Sequence, residues 1–214
     1  MITHQKDIDY FRDYPAPLME YIHHHHFTIV NSTIPFYGPM LYFIIRALGY
    51  EQALEIGHAE GYTGYYIANA LKDNATRYGM AGNRYYGIDI AQTEKVTNDM
   101  AKAELPATII NMDSMDLPGE LIDIKFDFIF QDGNHDTEHV LKELDIMYPQ
   151  LKSGGLWVAH DTAGPAEEAW HYIQELIKNG KYEFEYLRLM GLYGVSIMRK
   201  TEGIDSEKRY WTNG

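Results

Sequence analysis

Four apolar runs that each end in an aspartate constrain the fold of this chain more than any other feature. The aspartates are Asp89, Asp113, Asp132 and Asp161. Segments with helical periodicity lie between and after these runs, over residues 92–104, 137–151 and 165–179. Continuous apolar strands that alternate with amphipathic helices predict a parallel sheet covered on both faces. An aspartate commonly follows any single strand, but four in succession favour a ligand-binding rim at the carboxyl ends of the strands.

A glycine loop follows the first apolar run, which covers residues 53–56. Glu55 stands two residues before Gly57, and Gly61 and Thr63 come after it. Glycine lets the backbone turn sharply and lets a ligand approach the main chain, and a helix that begins behind the loop offers free N–H groups. The spacing differs from the G-x-G-x-x-G pattern, whose glycines serve the pyrophosphate of a dinucleotide.

This loop resembles the first motif of class I S-adenosylmethionine-dependent methyltransferases, in which it wraps the amino-acid part of the cofactor. The resemblance implies that the methionine part is held by Glu55, Gly57, Gly61 and Thr63, and that Tyr62 of the same loop also binds the cofactor. Asp89 would accept hydrogen bonds from both ribose hydroxyls, because a carboxylate has two acceptor oxygens. Asp113 and Ser114 would lie at the edge of the adenine.

The end of the chain adds an independent indication of the fold. Two β-like runs, residues 182–189 and 193–200, are joined by only three residues. That connection is too short for a parallel crossover, so the two strands should pair antiparallel. A parallel core that ends in such a hairpin is similar to the methyltransferase sheet, with strand order 3-2-1-4-5-7-6. We therefore predict an α/β, Rossmann-like methyltransferase fold whose seven-stranded sheet is mostly parallel, with a C-terminal antiparallel hairpin.

The ends of the fourth and fifth predicted strands resemble metal-dependent O-methyltransferases of the catechol and caffeoyl-CoA type. In those enzymes the fourth strand ends in an aspartate with a lysine base three residues later, and here Asp132 and His135 occupy those positions. Their fifth strand ends in two metal ligands, where this chain has His160 and Asp161. Residues 132–162 are closer still to a branch that methylates sugar moieties of antibiotics. The resemblance implies catalytic roles for Asp132 and His135, and a metal site at Asp132, His160 and Asp161.

The chemistry of methyl transfer to oxygen explains why these residue types are needed. A hydroxyl is a poor nucleophile, and a divalent cation bound to its oxygen lowers its pKa and fixes its position. Oxygen ligands suit Mg²⁺ or Mn²⁺, while an imidazole among them favours a transition metal. His135 could accept the proton, because the pKa of imidazole lies near neutrality. Alternatively, His160 is a strand-end residue that bonds the backbone without any metal.

Composition limits the classes of function. A chain of 214 residues suits one α/β domain, and a net charge of −13 argues against nucleic acid as a partner. The absence of cysteine excludes disulfides and thiolate metal sites. The longest apolar run, residues 40–45, is too short to span a bilayer, and residues 1–12 lack the apolar core of a signal peptide. We therefore expect a cytoplasmic protein that does not bind membranes.

We divide the chain into three predicted segments: a cap over residues 1–46, a cofactor-binding methyltransferase domain over residues 47–200, and a tail over residues 201–214. Inside the cap, prolines and a glycine predict a loop over residues 32–39. A short helix is predicted over residues 40–48, across the boundary between the cap and the domain. In the run of four histidines at positions 23–26, a helix would point the side chains in all directions and a strand would place only alternate ones on one face, which makes a metal site there the less favoured interpretation. Lining a substrate cleft is an alternative role for the run.

Together these features predict an S-adenosylmethionine-dependent O-methyltransferase that acts on a small polar acceptor, sugar-like or phenolic, with a divalent metal. One alternative is an NAD-dependent oxidoreductase, which also binds ribose through an acid after its second strand, although the glycine spacing counts against it. Another is a catalytically silent cofactor-binding module that acts through partners. The sequence leaves the acceptor and self-association open.

Overall fold

The computed structural model of the chain describes residues 34–91, 93–116, 119, 121–190 and 193–203. The predictions for the four histidines at positions 23–26, and for most of the cap and tail, lie outside these residues. Within the described part of the chain, no helix is both long enough and apolar enough to cross a membrane.

Seven strands form a single sheet in the order β3-β2-β1-β4-β5-β7-β6. The strands are β1 (Gln52–Ile56), β2 (Arg84–Asp89), β3 (Ala107–Asn111), β4 (Phe126–Gln131), β5 (Leu151–His160), β6 (Phe184–Leu189) and β7 (Val195–Lys200). The first five strands pair in parallel, and β7 pairs antiparallel with both β5 and β6. The predicted fold class, a mostly parallel sheet with a C-terminal antiparallel hairpin, is confirmed.

Five helices are present among the described residues. They are α1 (Ile34–Leu48), α2 (Tyr62–Tyr78), α3 (Thr93–Lys102), α4 (Thr137–Met147) and α5 (Glu167–Lys178), and a 3₁₀ turn, Tyr148–Gln150, follows α4. Residues of α1, α2 and α3 share one apolar core with the sheet, and residues of α4 and α5 share another. The sheet is therefore covered on both faces.

The central strands carry continuous apolar runs because both of their faces are buried. In β5, Leu156 and Val158 belong to the core beneath α1, α2 and α3, while Trp157 and Ala159 belong to the core beneath α4 and α5. Successive side chains of a strand point to opposite faces, so a doubly covered strand needs an apolar residue at every position. This is the pattern that the sequence shows.

Two local predictions were wrong in their boundaries. Residues 34–39 were expected in a loop, but α1 begins at Ile34 and contains Pro39. The helix is stabilised by packing on α2, because the Tyr42 hydroxyl donates to Asp73 at 2.5 Å and Arg46 donates to Asn74 at 2.5 Å. Such tertiary contacts outweigh the low helix propensity of proline.

The second error concerns the helix after β4. It was predicted over residues 137–151, but α4 ends at Met147, and β5 begins at Leu151 after the short 3₁₀ turn. Neither error moves the carboxyl ends of the strands, where the predicted acids lie.

Candidate active site

The glycine loop connects β1 to α2, and two of its glycines adopt a conformation that other residues rarely adopt. Gly57 and Gly61 both have a φ of 82°. A Cβ atom at Gly57 would also lie 2.5 Å from the backbone oxygen of Asp132. Gly57 is therefore required both for the turn and for close packing against the loop that follows β4.

A fully buried glutamate side chain fixes the end of this loop at which α2 begins. Glu55 has no exposed surface, and it accepts hydrogen bonds from the hydroxyls of Thr63 and Tyr85. Burial raises the pKa of Glu55 to about 8, although these two hydrogen bonds act to lower it. We call Glu55, Thr63 and Tyr85 the clamp. It joins β1, β2 and the first turn of α2 beneath the loop.

A cleft of about 420 Å³ opens at the carboxyl ends of β1, β2 and β4. Its size lies within the usual range for small-molecule sites. Of the eight residues predicted to hold the cofactor, four line the cleft, namely Gly57, Asp89, Asp113 and Ser114. Asp132, predicted to be catalytic, lines the cleft as well. The other predicted cofactor residues, including the clamp members Glu55 and Thr63, are not among the described residues that line it.

Asp89 supports the glycine loop from the end of β2. One of its carboxylate oxygens accepts from the backbone N–H of Ala59 at 2.8 Å, and the other accepts from that of Ala91 at 2.9 Å. Because each carboxylate oxygen has two lone pairs, both can accept a further hydrogen bond from a ligand. Asp89 therefore couples the position of the loop to the cleft.

A buried network that the sequence analysis missed lies beside Ser114. Its centre is Glu143 of α4, which is 0% exposed and also lines the cleft. Ser114 Oγ donates to Glu143 Oε1 at 2.5 Å, Gln131 Nε2 donates to Oε2 at 2.6 Å, and His139 Nε2 lies 3.1 Å from Oε1. Burial raises the pKa of Glu143, and these hydrogen bonds oppose the rise.

One sequence signal could have revealed this network. Glu143 lies three residues after Val140 and four before Met147, and the helical period places all three on the buried face of α4. An acid on an apolar helix face needs partners inside the protein. Which partners it finds depends on β4 and the loop after β3, and this cannot be read from local sequence.

The ends of β4 and β5 bring two acids and two imidazoles together, and we call Asp132, His135, His160 and Asp161 the acid cluster. His160 Nδ1 lies 2.9 Å from Asp132 Oδ1 and 3.2 Å from Asp161 Oδ1. His135 Nε2 lies 2.9 Å from Asp161 Oδ2. Asp161 has a φ of 58°, a left-handed conformation that is uncommon outside glycine and is often found at functional sites.

The pKa values of the acid cluster follow from this mutual contact. Burial lowers the pKa of His160, but hydrogen bonds to Asp132 and Asp161 outweigh it and raise the pKa to about 9. Burial acts to raise the pKa of Asp161, yet the two imidazoles hold it well below its usual range. The close contact with Asp161 raises the pKa of His135. For Asp132, burial raises the pKa while His160 opposes the rise.

The donor atoms of the acid cluster fit a divalent metal. One ligand atom each from Asp132, His135 and Asp161 lies within 4.8 Å of the others. Two carboxylates and one imidazole form a mixed oxygen and nitrogen set that suits Mn²⁺ or another divalent ion. His160, the imidazole ligand that the sequence predicts, has its Nδ1 beside both carboxylates.

The chain is similar to known proteins in part of its sequence and in its fold. Residues 54–162 match the model of a family described as a methyltransferase domain. A search of curated proteins found no significant match.

Solved structures share the fold over nearly the whole chain. An O-methyltransferase from Bacillus cereus in complex with SAH is 17% identical with a TM-score of 0.69, over 92% of this chain and 96% of the other. TomG from Streptomyces achromogenes, an O-methyltransferase involved in tomaymycin synthesis and solved with SAM, is 15% identical with a TM-score of 0.66, over 94% and 100%. A candidate caffeoyl-CoA O-methyltransferase from Staphylococcus aureus is 20% identical with a TM-score of 0.67, over 92% and 98%. At these identities the likeness establishes the fold.

Proposed function

The chain belongs to the methyltransferase-domain family, and from that premise we propose that it transfers a methyl group from S-adenosylmethionine to an oxygen atom of a small polar acceptor, sugar-like or phenolic. The observation that carries this proposal is the position of Asp132. It lines the cleft together with Gly57 and Asp89, and it also belongs to the acid cluster. A cofactor in the cleft and an acceptor at the cluster would therefore be neighbours.

The residues around the cleft fit S-adenosylmethionine. Asp89 retains acceptor capacity for ribose hydroxyls, and the left-handed turn at Gly57 places its backbone in the wall of the cleft. In the same loop, His58 is 1% exposed, and its Nε2 has no hydrogen-bond partner among the described residues, as expected of a group that a ligand completes. When bound, S-adenosylmethionine supplies a methyl group that is already activated on a sulfonium.

His135 is the candidate acceptor of the proton that the hydroxyl loses. In a neutral imidazole one nitrogen donates and the other accepts. Asp161 Oδ2 lies 2.9 Å from Nε2, at ion-pair distance but without hydrogen-bond geometry. The charge of an ionised Asp161 favours a proton on Nε2, leaves Nδ1 as the acceptor, and stabilises the imidazolium that forms when His135 takes a proton.

A divalent metal, Mg²⁺ or Mn²⁺, is the second part of the proposal. Asp132 and Asp161 would hold it through oxygen, with an imidazole from His135 or His160 beside them. When bound, the metal would lower the pKa of the acceptor hydroxyl and fix its position. His135 Nε2 cannot bind a metal while it carries a proton. Metal binding at this nitrogen and general-base catalysis by His135 are therefore competing accounts.

We also propose that the predicted cap, residues 1–46, shapes the acceptor side of the site. Tyr37 of α1 is 6% exposed, and its ring packs edge-on against the ring of His160, with the centroids 4.8 Å apart. The cap thus contacts the acid cluster directly, and an acceptor bound there would meet residues from both segments. The methyltransferase domain, residues 47–200, supplies the glycine loop and all four residues of the acid cluster.

Two measurements test the function. Calorimetry should show that the protein binds S-adenosylhomocysteine in preference to NAD, and the reverse preference would support the oxidoreductase alternative. A screen of sugar and phenolic acceptors with S-adenosylmethionine should then yield a methylated product. Binding without turnover on any acceptor class would favour the silent module.

The metal part has its own test. Exhaustive chelation should abolish turnover, and Mn²⁺ or Mg²⁺ should restore it. Full activity after chelation would contradict the metal role, leave the methyltransferase assignment intact, and favour His135 as the base.

A further inference from the structure

The network around Glu143 fixes the direction of its own hydrogen bonds. The indole nitrogen of Trp157 can only donate, and it lies 3.3 Å from Gln131 Oε1. The amide nitrogen of Gln131 must therefore face Glu143, which accepts at 2.6 Å. Both Gln131 and Trp157 are buried, at 5% and 0% exposure, so no water competes for these groups.

Ser114 and Gln131 both donate to Glu143, and these hydrogen bonds favour its ionised, acceptor-only form against the burial that raises its pKa. The single proton of the Ser114 hydroxyl is directed to Glu143, at 2.5 Å. His139 Nε2 lies 3.1 Å from both Ser114 Oγ and Glu143 Oε1, and beside a carboxylate oxygen it carries a proton and acts as a donor. It therefore takes at most one of the two lone pairs of the hydroxyl, and the other is left for the cleft. Since Ser114 lines the cleft, the hydroxyl offers an acceptor rather than a donor to a ligand.

We propose that Glu143 is a positioning residue that makes this edge of the cleft an acceptor surface, and so selects a 6-amino purine over a 6-keto purine. The inference rests on the proposed function, in which the purine of the cofactor lies beside Ser114. The sheet order supports this placement, because the loop after β3 lies beyond β2 and its ribose acceptor Asp89. An adenine amino group would donate to Ser114, whereas a keto oxygen would face another acceptor.

Substitution of Glu143 by glutamine should change the Ser114 hydroxyl from an acceptor to a donor toward the cleft. Gln131 presents its amide nitrogen, so the carbonyl oxygen of the new glutamine must face Gln131. The new amide nitrogen must then face Ser114 and donate to it. The Ser114 proton is then freed, and because a protonated His139 Nε2 cannot accept it, it turns toward the cleft, where it would suit a keto oxygen.

The test is calorimetry on the full chain with two ligands, S-adenosylhomocysteine and S-inosylhomocysteine, which carries a keto oxygen in place of the amino group. We expect the wild type to bind the adenosine form about tenfold more tightly, the effect of one hydrogen bond made or unmade. Glu143→Gln should reduce this ratio by about tenfold, and Ser114→Ala should also bring it close to one. Glu138→Gln is the matched control, because Glu138 lies on the same helix with its side chain 84% exposed.

The ratio of the two affinities separates positioning from simple structural damage. A Glu143→Gln variant that binds both ligands equally more weakly, with the wild-type ratio, would overturn the inference. If that variant does not fold, as judged by circular dichroism and thermal unfolding, Ser114→Ala decides, and an unchanged ratio there overturns it. Failure of the wild type to bind either ligand would instead overturn the proposed function.

Discussion

The clamp lies beneath the glycine loop, the acid cluster includes Asp132, whose backbone packs against Gly57 of that loop, and the two groups differ in what surrounds them. In the clamp, Glu55 is 0% exposed and accepts hydrogen bonds from two hydroxyls inside the protein. In the acid cluster, the side chains of His135 and Asp132 remain 36% and 21% exposed. The clamp is thus satisfied internally and shapes the loop, whereas the cluster keeps access to a ligand. Substitutions in the first should change stability, and substitutions in the second should change rate.

The largest expected effect is on turnover. His135→Ala should lower kcat by about 10²–10⁴-fold, the usual contribution of a general acid or base, with little change in S-adenosylhomocysteine affinity or thermal stability. Steady-state kinetics on an identified acceptor would measure this, with His171→Gln as the control, since His171 is exposed on α5. Near-normal turnover in His135→Gln would remove His135 from the reaction and weaken the contrast between the two clusters.

The next effect is on the loop itself. Gly57→Ala should destabilise the protein by about 2–4 kcal/mol. The left-handed backbone is unfavourable for a residue with a Cβ, and the new Cβ would also clash with the Asp132 carbonyl. Gly79→Ala is the matched control: its φ is also positive, at 66°, but no atom lies within 4 Å of the added Cβ. Urea unfolding of both variants separates strain from close packing. Equal losses would mean that the approach of the two loops contributes nothing.

A smaller effect is expected at Asp89, which serves both the loop and the cleft. Asp89→Ala should weaken S-adenosylhomocysteine binding by about 1–3 kcal/mol, because hydrogen-bonding groups of the ligand and of the loop would lose their partner. Asp116→Ala is a suitable comparison, since Asp116 is exposed and is not among the residues that line the cleft. Calorimetry that finds Asp89→Ala as harmless as Asp116→Ala would exclude Asp89 as the ribose acceptor.

The sequence predicted the sheet and its rim well because both depend on local patterns. The type and direction of the strands follow from apolar runs, helical periods and a three-residue connection. These are local features that do not depend on distant parts of the chain. It failed at α1, where contacts of Tyr42 and Arg46 with α2 override the signal of Pro39. It also missed Glu143, whose partners come from other elements of the chain.

The acid cluster shows the same limit at the level of single atoms. Residue spacing brought His135 and His160 to neighbouring strand ends, but both could contact the same acids. Only the folded geometry distinguishes them, with His160 Nδ1 between the two carboxylates and His135 Nε2 on Asp161 alone.

The smallest predicted effect tests the clamp through pH. The pKa of Glu55 is raised by burial to about 8 in the folded protein, against an ordinary value of 4.5, so the unfolded chain releases its proton first. Between these values the folded state binds more protons than the unfolded state, and its stability therefore falls as pH rises.

The variant Glu55→Gln cannot ionise, and its amide can still form hydrogen bonds with the hydroxyls of Thr63 and Tyr85, each of which can donate or accept. From pH 5.5 to 6.5 the free energy of unfolding of the wild type should fall relative to that of the variant by about 1 kcal/mol. Urea unfolding at the two pH values measures the difference, and Glu138→Gln, with its exposed carboxylate, should run parallel to the wild type. If Glu55→Gln also runs parallel, Glu55 is ionised throughout, and the clamp would share the charge of the acid cluster rather than contrast with it.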